Sequence, residues 1–351
     1  MAPQLLKALA WAAALQGVAA EPRRIIIDTD MSTDCDDVGA LCLAHALADR
    51  GLARILAVVH NTGLPSGVGA VSSINHWYAR DDIPIGAFKG AFGRDLPGTY
   101  VADLVATLPG PVRNFDQVPE AVEVYRRVLS EQPDRSVTIV SIGFSTNLAN
   151  LLSSPPDAHS PLNGQALVAA KVLSVAWMGG QYPTSGGGHE WNFGGGAAPG
   201  SKAPSPESAS AASYAVGRMP ASVEVTFLGY EVGDQIFTGG RLTECAPANN
   251  PCRKAYVDMQ GLGKNRQSWD PATALFGILG VSLDDYEFVG QGGRCVVDPT
   301  SGADHWESPS VAPANQKYLA LKATRAASVA GQIDALLCQP PANGLADPVQ
   351  V

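Results

Sequence analysis

The stretch IIIDTDMSTDCDDVGAL at residues 25–41 joins three isoleucines to five aspartates that fall within ten residues, 28–37. Two carboxylates about 4 Å apart repel by roughly 4 kcal/mol at an effective dielectric constant of 20. A helix N-terminus can offset one carboxylate, and Asp36 or Asp37 is placed to be that N-cap. The remaining charge predicts a hard cation with oxygen ligands, Ca²⁺ or Mg²⁺. A solvated acidic loop with a single cap is the alternative.

Apolar runs alternate with helical stretches along the rest of the chain, which predicts a single large α/β domain. Its central sheet is expected to be mostly parallel and open, of the Rossmann type, with helices on both faces. The predicted strands are 24–28, 54–60, 83–88, 136–142, 173–178 and 222–228, and the predicted helices are 37–50, 67–80, 119–131, 145–153 and 206–217. A hairpin over 286–297 and a helix within 318–338 are expected to close the domain.

Polar residues and glycines stand where several of these strands end. In a parallel sheet, ligands bind beyond the carboxyl ends of the strands. The segment 181–206 is rich in Gly, Pro and Ser but contains HEWN at 189–192, which favours a binding loop over a linker. We therefore expect one site formed by the strand ends at Asp28, Asp30, Asn61, Gly143 and Met178 together with this loop.

The N-terminal residues 1–20 have the pattern of a secretory signal peptide, with Lys7 before an apolar run and small residues at 18 and 20. The predicted mature domain is therefore 21–351, secreted and outside any membrane. The formal net charge of −9 and the absence of a basic run argue against a nucleic-acid partner. Self-association is left open.

The six cysteines are compatible with export. A local disulfide between Cys245 and Cys252 and a second between Cys295 and Cys338 are candidates, although pairing does not follow from sequence. Two further thiols, Cys35 and Cys42, are expected to be buried.

Three known cation or carboxylate motifs were compared with the acidic stretch. An EF-hand is excluded because the required Gly and Glu are absent. The opening IIIDTDMS resembles haloacid-dehalogenase-type phosphatases, with Asp28 as nucleophile, but leaves the later aspartates unexplained. The stretch is most similar to the D-x-D-P-G-x-D-D signature of the inosine–uridine-preferring nucleoside hydrolases, as DTD at 28–30 and DD at 36–37. The resemblance continues in order through HNTG (60–63), SIGFSTNLANLL (141–152), MGG (178–180), EWN (190–192) and SWDPATAL (268–275).

This resemblance implies a secreted Ca²⁺-dependent hydrolase that cleaves the N-glycosidic bond of ribonucleosides or related N-ribosides. Asp30 is the implied general base, and Asp28 is expected to orient the loop. The implied calcium ligands are Asp30, Asp37, the carbonyl of Ile142 and Asp270. The implied substrate contacts are Asp36, Asn61, Met178, Glu190, Asn192, Trp269 and Asp270, whereas Asn147 is expected to cap a helix.

Trp269 departs from the family pattern, because well-known members have a histidine there that helps the base to leave. An indole N–H donates hydrogen bonds but is not an acid near neutral pH. His189, beside Glu190, is the nearest candidate for the general acid. A non-catalytic ribose- or nucleoside-binding protein that keeps the calcium pocket remains the alternative function, and Asp34 receives no role.

Overall fold

The computed structural model describes residues 21–96, 98–183, 188–194, 206–311 and 314–343, with only the backbone of 188 and 189. Its strands are β1 (Arg23–Thr29), β2 (Ala53–His60), β3 (Ile85–Ala87), β4 (Val137–Ser141), β5 (Val172–Met178), β6 (Gly188–His189), β7 (Glu224–Leu228), β8 (Phe237–Thr238), β9 (Arg266–Gln267), β10 (Tyr286–Val297), β11 (Ala303–Glu307) and β12 (Gln316–Leu321).

The helices of the described chain lie between and after these strands. They are α1 (Asp36–Asp49), α2 (Gly67–Trp77), α3 (Val101–Thr107), α4 (Ala121–Ser130), α5 (Thr146–Ser153), α6 (Gly164–Lys171), α7 (Pro206–Arg218), α8 (Tyr230–Gly233), α9 (Leu242–Cys245), α10 (Pro251–Gln260), α11 (Trp269–Leu279) and α12 (Ala326–Leu337). A 3₁₀ turn covers Phe115–Gln117.

Ten strands form one sheet in the order β3-β2-β1-β4-β5-β7-β12-β10-β11-β6. Pairing is parallel from β3 to β12 and antiparallel from β12 through β10 and β11 to β6. The strands β8 and β9 form a separate antiparallel pair. The predicted single α/β domain with a mostly parallel sheet is therefore confirmed.

The isoleucines of β1 show why the sheet is covered on both faces. Ile25 and Ile27 belong to one buried cluster, whereas Ile26 belongs to the cluster on the other face. Successive side chains of a strand point to opposite faces, so an unbroken apolar run requires packing on both sides. The helices supply that packing, and they leave the carboxyl ends of the strands for a site.

The prediction that Asp36 or Asp37 caps α1 is wrong. The N-cap is Cys35, whose side chain makes no capping hydrogen bond, and the two aspartates are the first residues inside the helix. Their carboxylates turn to neighbouring segments: Asp36 accepts from the backbone N–H of Asp270, and Asp37 accepts from the hydroxyl of Thr29. Tertiary contacts therefore compete successfully with the local cap.

The suggested disulfide pairs are also wrong. The structure joins Cys245 to Cys338, 93 residues apart, and so ties α9 to the end of α12. Cys252 and Cys295 are buried free thiols, as are Cys35 and Cys42, for which burial was predicted. Cys245 and Cys252 are close in sequence but do not pair, because Cys252 is buried in the core as part of α10.

The predicted signal peptide at 1–20 lies outside the described residues. Within the described part of the chain, no helix has both the length and the apolar character needed to cross a bilayer.

Replacing Cys245 and Cys338 by serine should destabilise the protein by about 2–5 kcal/mol, because the cross-link restrains a long segment of the unfolded chain. Urea unfolding with and without reductant measures the effect. The double variant should no longer respond to reductant, and a wild-type protein equally stable in both conditions would contradict the role of the bond.

Candidate functional site

A cavity of about 560 Å³ lies beyond the carboxyl ends of β1, β4 and β5. This is the edge of a parallel sheet at which ligands are expected. The loop after β6 and the start of α11 complete its wall. The described residues that line it are Asp30, Thr33, Asp34, Asp36, Asp37, Ile142, Met178, Gln181, Glu190, Trp191, Asn192, Tyr230, Met259, Arg266, Gln267, Trp269 and Asp270.

Three buried carboxylates form the most compact group in this cavity. Asp36, Asp37 and Asp270 each offer an oxygen, and these oxygens all lie within 4.8 Å of one another. Burial, reinforced by the neighbouring aspartates, raises the pKa of each of the three well above its usual value. Such a group is stable in its charged form only with a compensating cation, so it could hold a metal ion.

Asp30 lines the same cavity but is not part of that three-carboxylate group. Burial raises its pKa to about 7, and the charges of Asp34 and Asp28 act in the same direction. The backbone after β4 approaches closely, since a Cβ atom at Gly143 would lie 2.6 Å from the backbone N of Asp30. Glycine is therefore required at 143 if the aspartate is to keep its place. Next to it, Ile142 lines the cavity and donates its N–H to the carbonyl of Asp28 at 2.8 Å.

Asp28 is fully buried, and its carboxylate accepts hydrogen bonds from other side chains of the protein. Its carboxylate accepts from Asn61 Nδ2 at 3.0 Å, from Asn147 Nδ2 at 2.9 Å and from the Tyr125 hydroxyl at 2.8 Å. The predicted orienting role fits these contacts. A phosphatase nucleophile does not, because Asp28 is absent from the cavity wall. The expectation that Asn147 caps α5 is wrong: the N-cap is Ser145, and Asn147 lies inside the helix.

Asn61 lies beneath the cavity rather than in its wall. It follows β2, as predicted, and its amide nitrogen is committed to Asp28. Its Oδ1 atom is buried and has no hydrogen-bond partner among the described residues. The predicted ribose contact would have to use this oxygen.

The loop after β6 brings Glu190 and Asn192 into the cavity, as the HEWN segment indicated. Glu190 accepts from the backbone N–H groups of Gly180, Asn192 and Phe193, and burial nevertheless raises its pKa to about 8. The Asn192 amide donates to the carbonyl of Met178 at 3.3 Å. The loop therefore rests on the end of β5. The side chain of His189, the candidate acid, lies outside the described residues, and its backbone pairs with Ala303 in the sheet.

Trp269 forms part of the outer wall and is held on several sides. Its Nε1–H donates to the carbonyl of Tyr230 at 2.8 Å, and the two rings lie 5.5 Å apart. The guanidinium of Arg266 lies 5.1 Å from the indole centre. Close approach again requires a glycine, because a Cβ atom at Gly233 would lie 2.4 Å from the Trp269 ring. The indole N–H is thus already used and is not available to a departing base.

Comparison with known proteins connects this site to a family. The sequence profile described as "Inosine-uridine preferring nucleoside hydrolase" matches residues 25–198, which include the acidic stretch and the loop carrying Glu190 and Asn192. No curated protein sequence matches the chain.

The chain belongs to this family.

Several solved structures share this fold over most of the chain. A plant nucleoside hydrolase, the PpNRh1 enzyme, is 18% identical, with a TM-score of 0.65, over 91% of this chain and 100% of its own. An inosine-guanosine nucleoside hydrolase is 17% identical, with a TM-score of 0.65, over 92% and 100%. The type III effector protein XopQ, solved in complex with adenosine diphosphate ribose, is 15% identical, with a TM-score of 0.67, over 96% and 99%.

Two residues at or beneath this candidate site, Tyr125 and Arg266, were not predicted from the sequence. Tyr125 lies in the amphipathic helix α4, and only the fold brings it to Asp28. Arg266 lies three residues before Trp269, but its partner Asp34 is 232 residues away in sequence. Neither had a local signal, since an isolated Tyr on a helix and an isolated Arg in a two-residue strand are common.

Because of the buried carboxyls, we expect the metal-free protein to become more stable as the pH falls, the opposite of ordinary acid denaturation. Burial raises the pKa of Asp28 and Asp30 from 3.8 to about 7, so between these values the folded state binds more protons than the unfolded state. In chelator, the free energy of unfolding should therefore rise as the pH falls from about 7 to about 5. Urea titrations across this range test it, and Asp28→Asn should weaken the dependence. Stability that falls over the same range would contradict the assignment.

Proposed function

We propose that the protein is a secreted, Ca²⁺-dependent hydrolase of the N-glycosidic bond of ribonucleosides or related N-ribosides. The observation that carries the proposal is the convergence of the buried carboxylates with Glu190 and Asn192 in one cavity. Carboxylates and amides around a polyol suit a ribose, whose hydroxyls need several fixed donors and acceptors. Family membership supports the same reaction class.

Calcium is proposed because the donors are oxygens. Ca²⁺ takes 6–8 oxygen ligands, so the three-carboxylate group leaves positions for carbonyls, water and sugar hydroxyls. The predicted ligands Asp37 and Asp270 belong to that group, and Asp30 and Ile142 line the cavity beside it. Asp36, which was predicted to contact the ribose, also belongs to the group and is therefore a further candidate ligand.

The side chains divide the work of the reaction. A cation held by Asp36, Asp37 and Asp270 would lower the pKa of a nearby water. Asp30, which lines the cavity beside the three-carboxylate group, accepts the proton of the attacking water as general base. Glu190 and Asn192 hold the ribose hydroxyls while the sugar becomes oxocarbenium-like, and the surrounding carboxylates stabilise the positive charge. Trp269 borders the base, and His189 is the proposed acid.

A non-catalytic ribose- or nucleoside-binding protein remains the second candidate. The observation that favours it is Trp269, which stands where a base-activating histidine is expected and whose N–H is bound to the protein. The similar effector XopQ was solved in complex with adenosine diphosphate ribose, a larger riboside than a nucleoside.

Secretion is proposed from the signal-peptide pattern of residues 1–20 and is supported by the disulfide between Cys245 and Cys338. Disulfides persist mainly in oxidising compartments. Whether the protein self-associates stays a prediction.

A panel of nucleosides, assayed for free base with and without chelator, tests the proposed reaction. Wild-type protein should release base, and chelation should abolish the release and lower the melting temperature because the aspartates lose their counter-charge. Added Ca²⁺ should restore both. Tight ribose binding without base release would establish the binding protein instead.

Asp30→Asn should lower kcat by at least about 100-fold and leave the fold intact, because amide nitrogen and oxygen cannot accept the proton of water. Steady-state kinetics and circular dichroism measure the two effects. The exposed Asp298, which is not part of the cavity wall, gives the matched control Asp298→Asn, which should behave like wild type. Near-normal kcat in Asp30→Asn would place the base elsewhere.

A further inference from the structure

The cavity wall contains a single side chain with a permanent positive charge among its described residues, Arg266. All other charged groups in the described wall are carboxylates, which suit a cation and an oxocarbenium-like ribose. A departing nucleobase has the opposite requirement, because it leaves with the electron pair of the glycosidic bond. Carboxylates would repel that charge, so the wall needs a local positive group near the base.

Asp34 holds Arg266 in a fixed orientation. The arginine Nε–H donates to Asp34 Oδ1 at 3.1 Å, and Nη2 donates to Asp34 Oδ2 at 2.5 Å, which is the two-pronged geometry that fixes a guanidinium plane. Nη1 donates to Gln267 Oε1 at 3.1 Å. A guanidinium has five N–H donors, so these contacts leave others for a ligand.

The backbone and the indole fix the same group. Arg266 is paired with Thr238 in the short β8–β9 ladder, and its guanidinium lies over Trp269. About one quarter of each side chain of the Asp34–Arg266 pair is exposed, so the pair is shielded but reachable from the cavity. A donor that is held in place before the reaction needs no reorganisation during it.

We propose that Arg266 stabilises the negative charge that develops on the departing base, and that Asp34 is the residue that positions it. This inference rests on the proposed N-riboside hydrolysis. The bond between C1′ and the base nitrogen breaks with its electron pair on the base, while water forms the new C1′–O bond and gives its proton to Asp30. Arg266 donates a hydrogen bond and keeps its proton. The base then takes a proton, which His189 or solvent supplies, and Asp30 releases its own proton to solvent.

The proposal gives Asp34 a role that also explains its position. It lies between Asp30 and the pair Asp36 and Asp37, in the five-residue spacer that is longer than in the family signature. The longer spacer therefore places the Asp34 carboxylate beside Arg266, in the part of the cavity wall proposed to face the base.

Two substrates with different leaving groups test the proposal. Inosine needs help to expel its base, whereas p-nitrophenyl riboside has a leaving group that departs with little assistance. Arg266→Gln should lower kcat for inosine on the order of 100-fold, and should lower it far less for p-nitrophenyl riboside. Asp34→Asn should show the same selectivity with a smaller loss, roughly 10-fold, and Arg266→Lys should recover part of the inosine activity.

The controls separate this role from a purely structural ion pair. Arg294→Gln removes an exposed ion pair with Glu307, away from the cavity wall, and should leave both substrates unaffected. Thermal melts identify any variant that fails to fold, in which case the Lys and Asn variants decide. Equal losses on both substrates, or no loss on inosine, would overturn the proposal while the proposed function stands. A wild-type protein that cleaves neither substrate would overturn both.

Discussion

The close burial of like charges is the constraint on which the rest of this structure depends. Asp36, Asp37 and Asp270 bring oxygens within 4.8 Å of one another in a region where burial opposes ionisation. An ionised group of this kind requires a counter-charge, and no lysine or arginine among the described residues of the wall is free to provide it, because Arg266 is paired with Asp34. The fold therefore holds a strained electrostatic arrangement that a cation would relieve.

The sheet makes this arrangement possible by distributing its members over distant parts of the chain. The end of β1 and the start of α1 contribute the first aspartates, while the start of α11 contributes Asp270. The backbone N–H of Asp270 donates to Asp36, which joins the two helix starts directly. Beneath them, Asp28 collects donors from three other segments. The site residues are thus part of the packed core, so substituting them should lower stability as well as activity.

The cavity wall contains two groups of side chains of different chemical character. The carboxylates suit a cation and a sugar that becomes positively charged. Trp269 and Tyr230 form an aromatic group, and the Arg266 guanidinium lies against the Trp269 ring. Hydrolysis of an N-glycosidic bond separates charge in the same sense, with positive charge on the ribose and negative charge on the base. The two groups of side chains therefore match the charges of the proposed reaction, although this chain has Trp269 where a histidine is usual in the family.

The sequence by itself determined the sheet and most of the site, because those features depend on local patterns. The isoleucines of β1 identified a strand covered on both faces. Of the strand-end residues expected at one site, Asp30 and Met178 line the cavity, whereas Asp28 and Asn61 are buried outside its wall. Only the tertiary structure decided the partners. Asp36 and Asp37 accept hydrogen bonds from other segments and do not cap α1. Asn147 donates to Asp28. Cys245 forms a disulfide with Cys338, and Asp34 forms an ion pair with Arg266. Each of these contacts joins residues that are far apart in sequence or lie on different elements, and its free energy depends on distances that no local pattern encodes.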